Sequence, residues 1–209
     1  MSDHWETNRT EAFSDGVFAI AITLLVLDIR IPATEFSDPW AALAHEWPAY
    51  LGFATSFVTI GGIWLVHHGM FRRLQYADTR IMRLNLLLLM AVSWLPFPTR
   101  FMAEAIRTTE AERAAVIVYG ASLLLISAII SGMWGAIALD RRLLKPDVSD
   151  AEIKLILRQS TPNLGFYVSL TALALFLPRA AAAGYLVVAV VAVLRARGDN
   201  FAVPEAETA

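Results

Sequence analysis

With 209 residues, 57% of them hydrophobic, and a mean hydropathy of +0.55, the chain is too apolar for an ordinary soluble domain, in which the apolar share is about 45 to 50%. Its 17 basic and 19 acidic residues leave a net charge of -2, so there is no basic excess to favour nucleic acid. Cysteine is absent, which excludes disulfides, iron–sulfur clusters and thiolate zinc sites and leaves only imidazole and carboxylate chemistry for any metal.

The bilayer is therefore the expected solvent, and a helix crossing it needs about 20 apolar residues. Six stretches approach that length, near 10–31, 47–71, 81–103, 113–139, 161–178 and 180–196. The first is preceded by Asp3, Glu6, Arg9, Glu11 and Asp15 and is followed by no small-residue cleavage site, so it reads as a retained helix and not as a signal peptide. Ser149 to Glu152 matches a capping box ahead of Ile153, Leu155, Ile156 and Leu157, which predicts a short helix at the membrane surface. Pro178 and Arg179 are expected to form the turn between the fifth and sixth spans. The predicted architecture is all-α: one six-helix integral membrane bundle over residues 1–197, with a polar, disordered tail over 198–209.

Basic residues concentrate on cytoplasmic loops. Placing the N-terminus inside puts twelve of the 17 basic residues on the cytoplasmic side, among them Arg9, Arg72, Arg73, Arg80, Arg83, Arg141, Arg142 and Lys145. The expected location is the cell membrane, multi-pass, with both termini in the cytoplasm.

Ionisable groups within hydrocarbon are costly and face a partner or a wet path. Ser14 and Asp15 lie early in the first span, Trp64, His67 and His68 late in the second, and Asn85 early in the third. At 1.5 Å rise per residue these fall within one or two turns of the same membrane face, so they can form one buried polar cluster. The simplest role is structural, with each hydrogen bond between helices contributing about 1 kcal/mol. A proton relay uses the same residue types. A metal site is disfavoured because adjacent histidines point about 100° apart on a helix.

The first span carries a second pattern. Ile20, Thr23, Leu24 and Leu27 share one helical stripe at i, i+3, i+4 and i+7. Alone, this is an ordinary packing stripe. It ends at Asp28, with Glu35 and Asp38 in the loop beyond, and an acidic mouth above such a stripe concentrates cations.

The segment Arg9-Thr10-Glu11-Ala12-Phe13-Ser14-Asp15-Gly16 resembles the Arg-x-x-x-Phe-Ser-Asp-Gly signature of the transmembrane protein 175 potassium channel family, in particular its short prokaryotic members. The likeness continues through Val17 to Leu24, Trp64-x-x-His67-His68, Asn85 and Pro96-Phe97-Pro98; the second half of the chain agrees mainly in helix number and length. The resemblance implies a homotetramer in the lipid bilayer, with the first helix of each subunit lining a central pore and potassium as the permeant ion. It implies no cofactor and no enzymatic activity. By position, Ile20, Leu24 and Leu27 match the family's apolar constriction, Thr23 a hydroxyl layer, and Phe13, Ser14 and Asp15 the motif buried against the second and third helices, with Arg9 of the same signature assigned to that polar cluster. The Thr-Val-Gly-Tyr-Gly filter of ordinary potassium channels is absent, as in that family.

Two rival classes remain at this stage. A proton-coupled secondary transporter would use Asp15, His67 or His68, but its usual paired repeats and interrupted helices are not evident. A membrane enzyme would need a converging site, whereas the remaining histidines, His4 and His45, sit in or near loops.

Overall fold

A computed structural model of the chain describes residues 5–31, 33, 36–105 and 109–199. Asp3, His4, Glu35, Arg107 and residues 200–209, which include most of the expected tail, lie outside them.

Helix α1 (Thr7–Leu24) continues as a 3-10 turn, Leu25–Asp28. Its packed face is Thr10, Ser14, Phe18, Ala21 and Leu25, at steps of three or four residues. A short helix not anticipated above, α2 (Pro39–His45), follows. Asp38 caps it by accepting the Ala41 N–H, and Pro39 occupies the first turn, where its missing N–H costs nothing. Helix α3 (Trp47–Arg73) ends on Arg72 and Arg73, which complement the carbonyl end of the helix dipole.

The third expected span is two helices. Asp78 accepts the Ile81 N–H at 2.8 Å and starts α4 (Thr79–Trp94), while α5 runs Pro96–Ala105. Between them the Leu95 N–H turns to the Val92 carbonyl, three residues back. Neither Pro96 nor Pro98 can donate to the preceding turn, so the ladder is interrupted there and the span kinks.

Helix α6 (Thr109–Leu139) is followed by a 3-10 turn at Arg141–Leu143 and then by α7 (Asp150–Leu173). Ser149 accepts the Glu152 N–H at 3.2 Å, as the capping box requires. The helix it starts does not stop at the surface, however. The expected surface helix and the fifth span form one continuous α7, which runs on through Pro162 to Leu173. The turn expected at Pro178 and Arg179 lies earlier, at residues 174–177, and Pro178 instead opens α8 (Pro178–Asp199), the position where proline is best tolerated.

Among the described residues four stretches are long and apolar enough to cross a bilayer, Thr7–Asp28, Trp47–Arg73, Thr79–Ala105 and Ala111–Leu139. Leu164–Leu173 and Pro178–Leu194 are shorter apolar helices, so the six expected spans correspond to four of full length and two that fall short of it.

Helix α1 packs on α3 and α4, α3 on α5 and α8, and α6 joins α4, α5 and α7. The shared core includes Phe18, Ile60, Leu88, Val92, Tyr119, Leu123 and Tyr185. At the end carrying the α1 N-terminus the loops are stitched by backbone pairs: Trp5 with Ala77 at 2.9 and 3.2 Å, Gln75 to Leu143 at 2.8 Å and Lys145 to Arg73 at 3.0 Å. Arg73 with Glu152 at 2.7 Å and Arg141 with Asp150 at 2.9 Å reinforce the same layer. Outside the spans, the hydrogen bond from Arg142 holds the Asp140 carboxyl below its usual range.

Candidate functional site

Helix α1 has two unlike faces. Thr10, Ser14, Phe18, Ala21 and Leu25 are buried against α3 and α4, whereas Ile20 is 60% exposed, Leu24 43% and Leu27 59%, with Thr23 exposed among them. The stripe read from the sequence is therefore the face that the chain's own bundle leaves uncovered. The Thr23 hydroxyl donates to the Ile20 carbonyl at 3.0 Å. With its proton committed along the helix, the oxygen presents lone pairs outward.

The polar residues near the α1 N-terminus converge. Trp64 Nε1 donates to Asp15 Oδ1 at 2.8 Å, joining α3 to α1. Asn85 Nδ2 donates to Ser14 Oγ at 3.0 Å, and Asn85 Oδ1 lies 2.9 Å from His67 Nε2. The Ser14 hydroxyl itself donates to the Thr10 carbonyl at 2.8 Å. His67 is fully buried, with its ring between Phe18 and Phe71 at centroid distances of 5.4 and 4.4 Å. Its Nδ1 meets no hydrogen-bond partner.

His68 leaves this group, as the helical angle requires. Its ring stacks on Trp64, and its Nδ1 lies 2.6 Å from Glu11 Oε1, off the axis of a hydrogen bond. Glu11 is a partner the sequence reading did not name. Arg9 and Phe13 stand apart from the cluster: Arg9 is exposed and Phe13 is 58% exposed, on the side of α1 away from Ser14. Ser14, Asn85 and His67 thus form one linked set and Asp15 with Trp64 another, against which His68 stacks, whereas Arg9 and Phe13 join neither.

At the other end of α1, Asp28 faces Arg100 of α5, with Oδ1 4.0 Å from Nη1, and Arg100 Nε is held by Glu104 at 2.8 Å. A cavity of about 280 Å³ opens here, lined by Asp28, Arg30, Glu46, Thr99, Arg100 and Glu104, among others. Asp38 caps α2 and is not among its lining residues. A buried hydroxyl chain lies beneath the cavity: Ser56 Oγ is 2.6 Å from Thr99 Oγ1 and 3.3 Å from the Tyr119 hydroxyl. Neither Arg100 nor this chain was singled out from sequence. The signal available was a basic residue beside the Pro96–Pro98 break.

A family profile described as endosomal/lysosomal potassium channel TMEM175 matches residues 9–96. The chain is 40% identical over 144 residues to a protein named as a potassium channel in Streptomyces collinus, covering 68% of this chain and 70% of that one. It is also 40% identical over 166 residues to one so named in Chamaesiphon minutus, covering 78% and 81%. Its fold superposes on the crystal structure of a lysosomal potassium-selective channel TMEM175 homolog from Chamaesiphon minutus with a TM-score of 0.83 and 36% identity, covering 91% of this chain and 98% of that one. Sequence motif, extent of identity and fold agree, and the chain belongs to the TMEM175 family of ion channels.

Proposed function

We propose that the chain is one subunit of a potassium-permeable cation channel, a homotetramer in which α1 of each copy lines a shared pore. Each subunit would cross the membrane six times, by α1, α3, the kinked α4–α5 pair, α6, α7 and α8, with both termini in the cytoplasm. The observation that carries this reading is the two-faced burial of α1: one face is packed, and the other, Ile20, Thr23, Leu24 and Leu27, is apolar but for one hydroxyl and uncovered by the subunit. Family membership and the potassium-channel names of the bacterial relatives support it.

Four copies around one axis would turn Ile20, Leu24 and Leu27 into apolar rings. A narrow apolar ring expels water, so cations stop there until α1 rotates or moves outward. Four Thr23 oxygens facing the axis as acceptors would replace part of a cation's hydration shell, giving a modest preference for the more weakly hydrated potassium over sodium. The Ser14–Asn85–His67 and Asp15–Trp64 bonds would clamp the α1 N-terminal half to α3 and α4, so that movement is confined to the half beyond.

The test is the reversal potential of purified protein in planar bilayers under opposed potassium and sodium gradients, with Ile20→Asn and Leu24→Ala beside the wild type. Discrete currents reversing toward the potassium potential, with selectivity reduced in either variant, are expected. Unchanged conductance and selectivity in both variants would remove the constriction from α1. Saturable flux without unitary currents would replace the channel by a proton-coupled transporter and make Asp15 and His67 the next residues to change.

A further inference from the structure

We infer that Arg100 sets the conductance of the channel: its guanidinium offsets the Asp28 carboxylate at the mouth, and the balance of that pair fixes how strongly the mouth attracts cations. This rests on the reading of α1 as the pore helix. Asp28 closes the 3-10 turn that extends the exposed stripe, one turn beyond Leu24, so its charge sits where an ion would leave the apolar rings. Arg100 approaches it from a different element. It cannot simply follow Asp28, for two reasons. Its neighbour Thr99 is buried and anchored to Ser56 at 2.6 Å, which fixes α5, and Glu104 holds the guanidinium from the other side at 2.8 Å. The result is a separation of 4.0 Å, at the limit of an ion pair, across a cavity of about 280 Å³. Asp28 is thus partly offset and not neutralised. The second basic group nearby, Arg30, also lines the cavity and adds to the offset of Asp28, but its Nε donates to the Leu27 carbonyl at 3.1 Å, so Arg100 is the larger opposing charge and the one that comes from another element.

Fixed charge at a mouth changes the local cation concentration, and its reach is about 10 Å at 0.1 M salt and about 3 Å at 1 M. A charge-setting role therefore has a signature that a packing role lacks. In single-channel recordings with potassium chloride, Arg100→Gln is expected to raise conductance about twofold at 0.1 M, Asp28→Asn to lower it by a similar factor, and the double variant Asp28→Asn with Arg100→Gln to return near wild type, with all four converging at 1 M. Arg100→Lys, which keeps the charge and loses the fork, is expected to stay near wild type. A conductance change in Arg100→Gln that is equal at both salt concentrations, no change at all, or a rise in Arg100→Lys as large as that in Arg100→Gln, overturns the inference while leaving the pore reading intact. Absence of potassium currents from the wild type would instead overturn the pore reading, and the inference with it.

Discussion

Asn85 holds two helices at once: its amide nitrogen donates to Ser14 on α1 and its oxygen faces His67 Nε2 on α3. All three side chains are at most 1% exposed, so no water replaces a lost partner. Asn85→Leu should therefore destabilise the protein by about 2 kcal/mol, since a stranded buried donor costs about 1 to 3 kcal/mol. Adding His67→Phe should recover part of the loss, because both ends of the bond are then apolar and Phe18 and Phe71 already flank the ring. Denaturant titration of the detergent-solubilised protein measures both; a double variant less stable than Asn85→Leu alone would mean that His67 stabilises the fold without Asn85. The depth of these residues was legible because counting along a helix fixes height in the bilayer. Their rotational phase was not, since the sequence of one helix does not state which neighbour it faces. That is why Ser14 and Asn85 were foreseen as neighbours while the Glu11–His68 and Asp28–Arg100 contacts were missed.

Helix positions depend on residues that are not there. A Cβ on Gly120 of α6 would collide with the Tyr185 hydroxyl and lie 2.5 Å from Thr171 Oγ1 and 2.9 Å from Tyr185 Cζ. The missing side chain is what lets α7 and α8 approach α6 while Thr171 and Tyr185 keep their 3.1 Å hydrogen bond. Gly120→Ala should cost about 1 to 3 kcal/mol, the usual range for overpacking, whereas Gly132→Ala in the same helix, where a Cβ meets nothing within 4 Å, should stabilise by about 0.5 to 1 kcal/mol, because alanine loses less backbone freedom in a helix. Equal stability of the two variants in the same titration would show that α7 and α8 do not pack on α6 this closely. At this scale hydrophobic length placed α1, α3 and α6 from sequence, because a long apolar run bounded by charge has one simple reading. The rest turned on local chemistry. Pro96 and Pro98 were noted but their kink was not placed, Asp38 and Pro39 were a helix start left unused, and α7 runs from a polar surface through Pro162 into an apolar stretch as one helix, which a count of apolar residues divides in two.

A single subunit leaves the α1 stripe uncovered, so the proposed pore exists only where several copies meet, and conduction should depend on the composition of the assembly and not on the subunit alone. Ile20→Lys would introduce a charge into the apolar ring, and one such charge is enough to oppose cations in a low-dielectric constriction. Wild-type and Ile20→Lys subunits expressed together at equal levels and mixing at random would then give about one-sixteenth of fully wild-type fourfold assemblies, near 6%, against one-half if each subunit conducted by itself. Macroscopic potassium current, normalised to protein in the membrane and followed across several mixing ratios, separates the two: a fourth-power fall with the wild-type fraction supports four α1 helices around one path. A linear fall would mean that each chain carries its own path, and the exposed stripe of α1 would then be a lipid-facing surface. An intermediate exponent of two would point to paired subunits, each supplying more than one helix to the pore, in which case the uncovered faces of α4, with Leu86, Leu87 and Met90 exposed, become the place to seek the second lining helix.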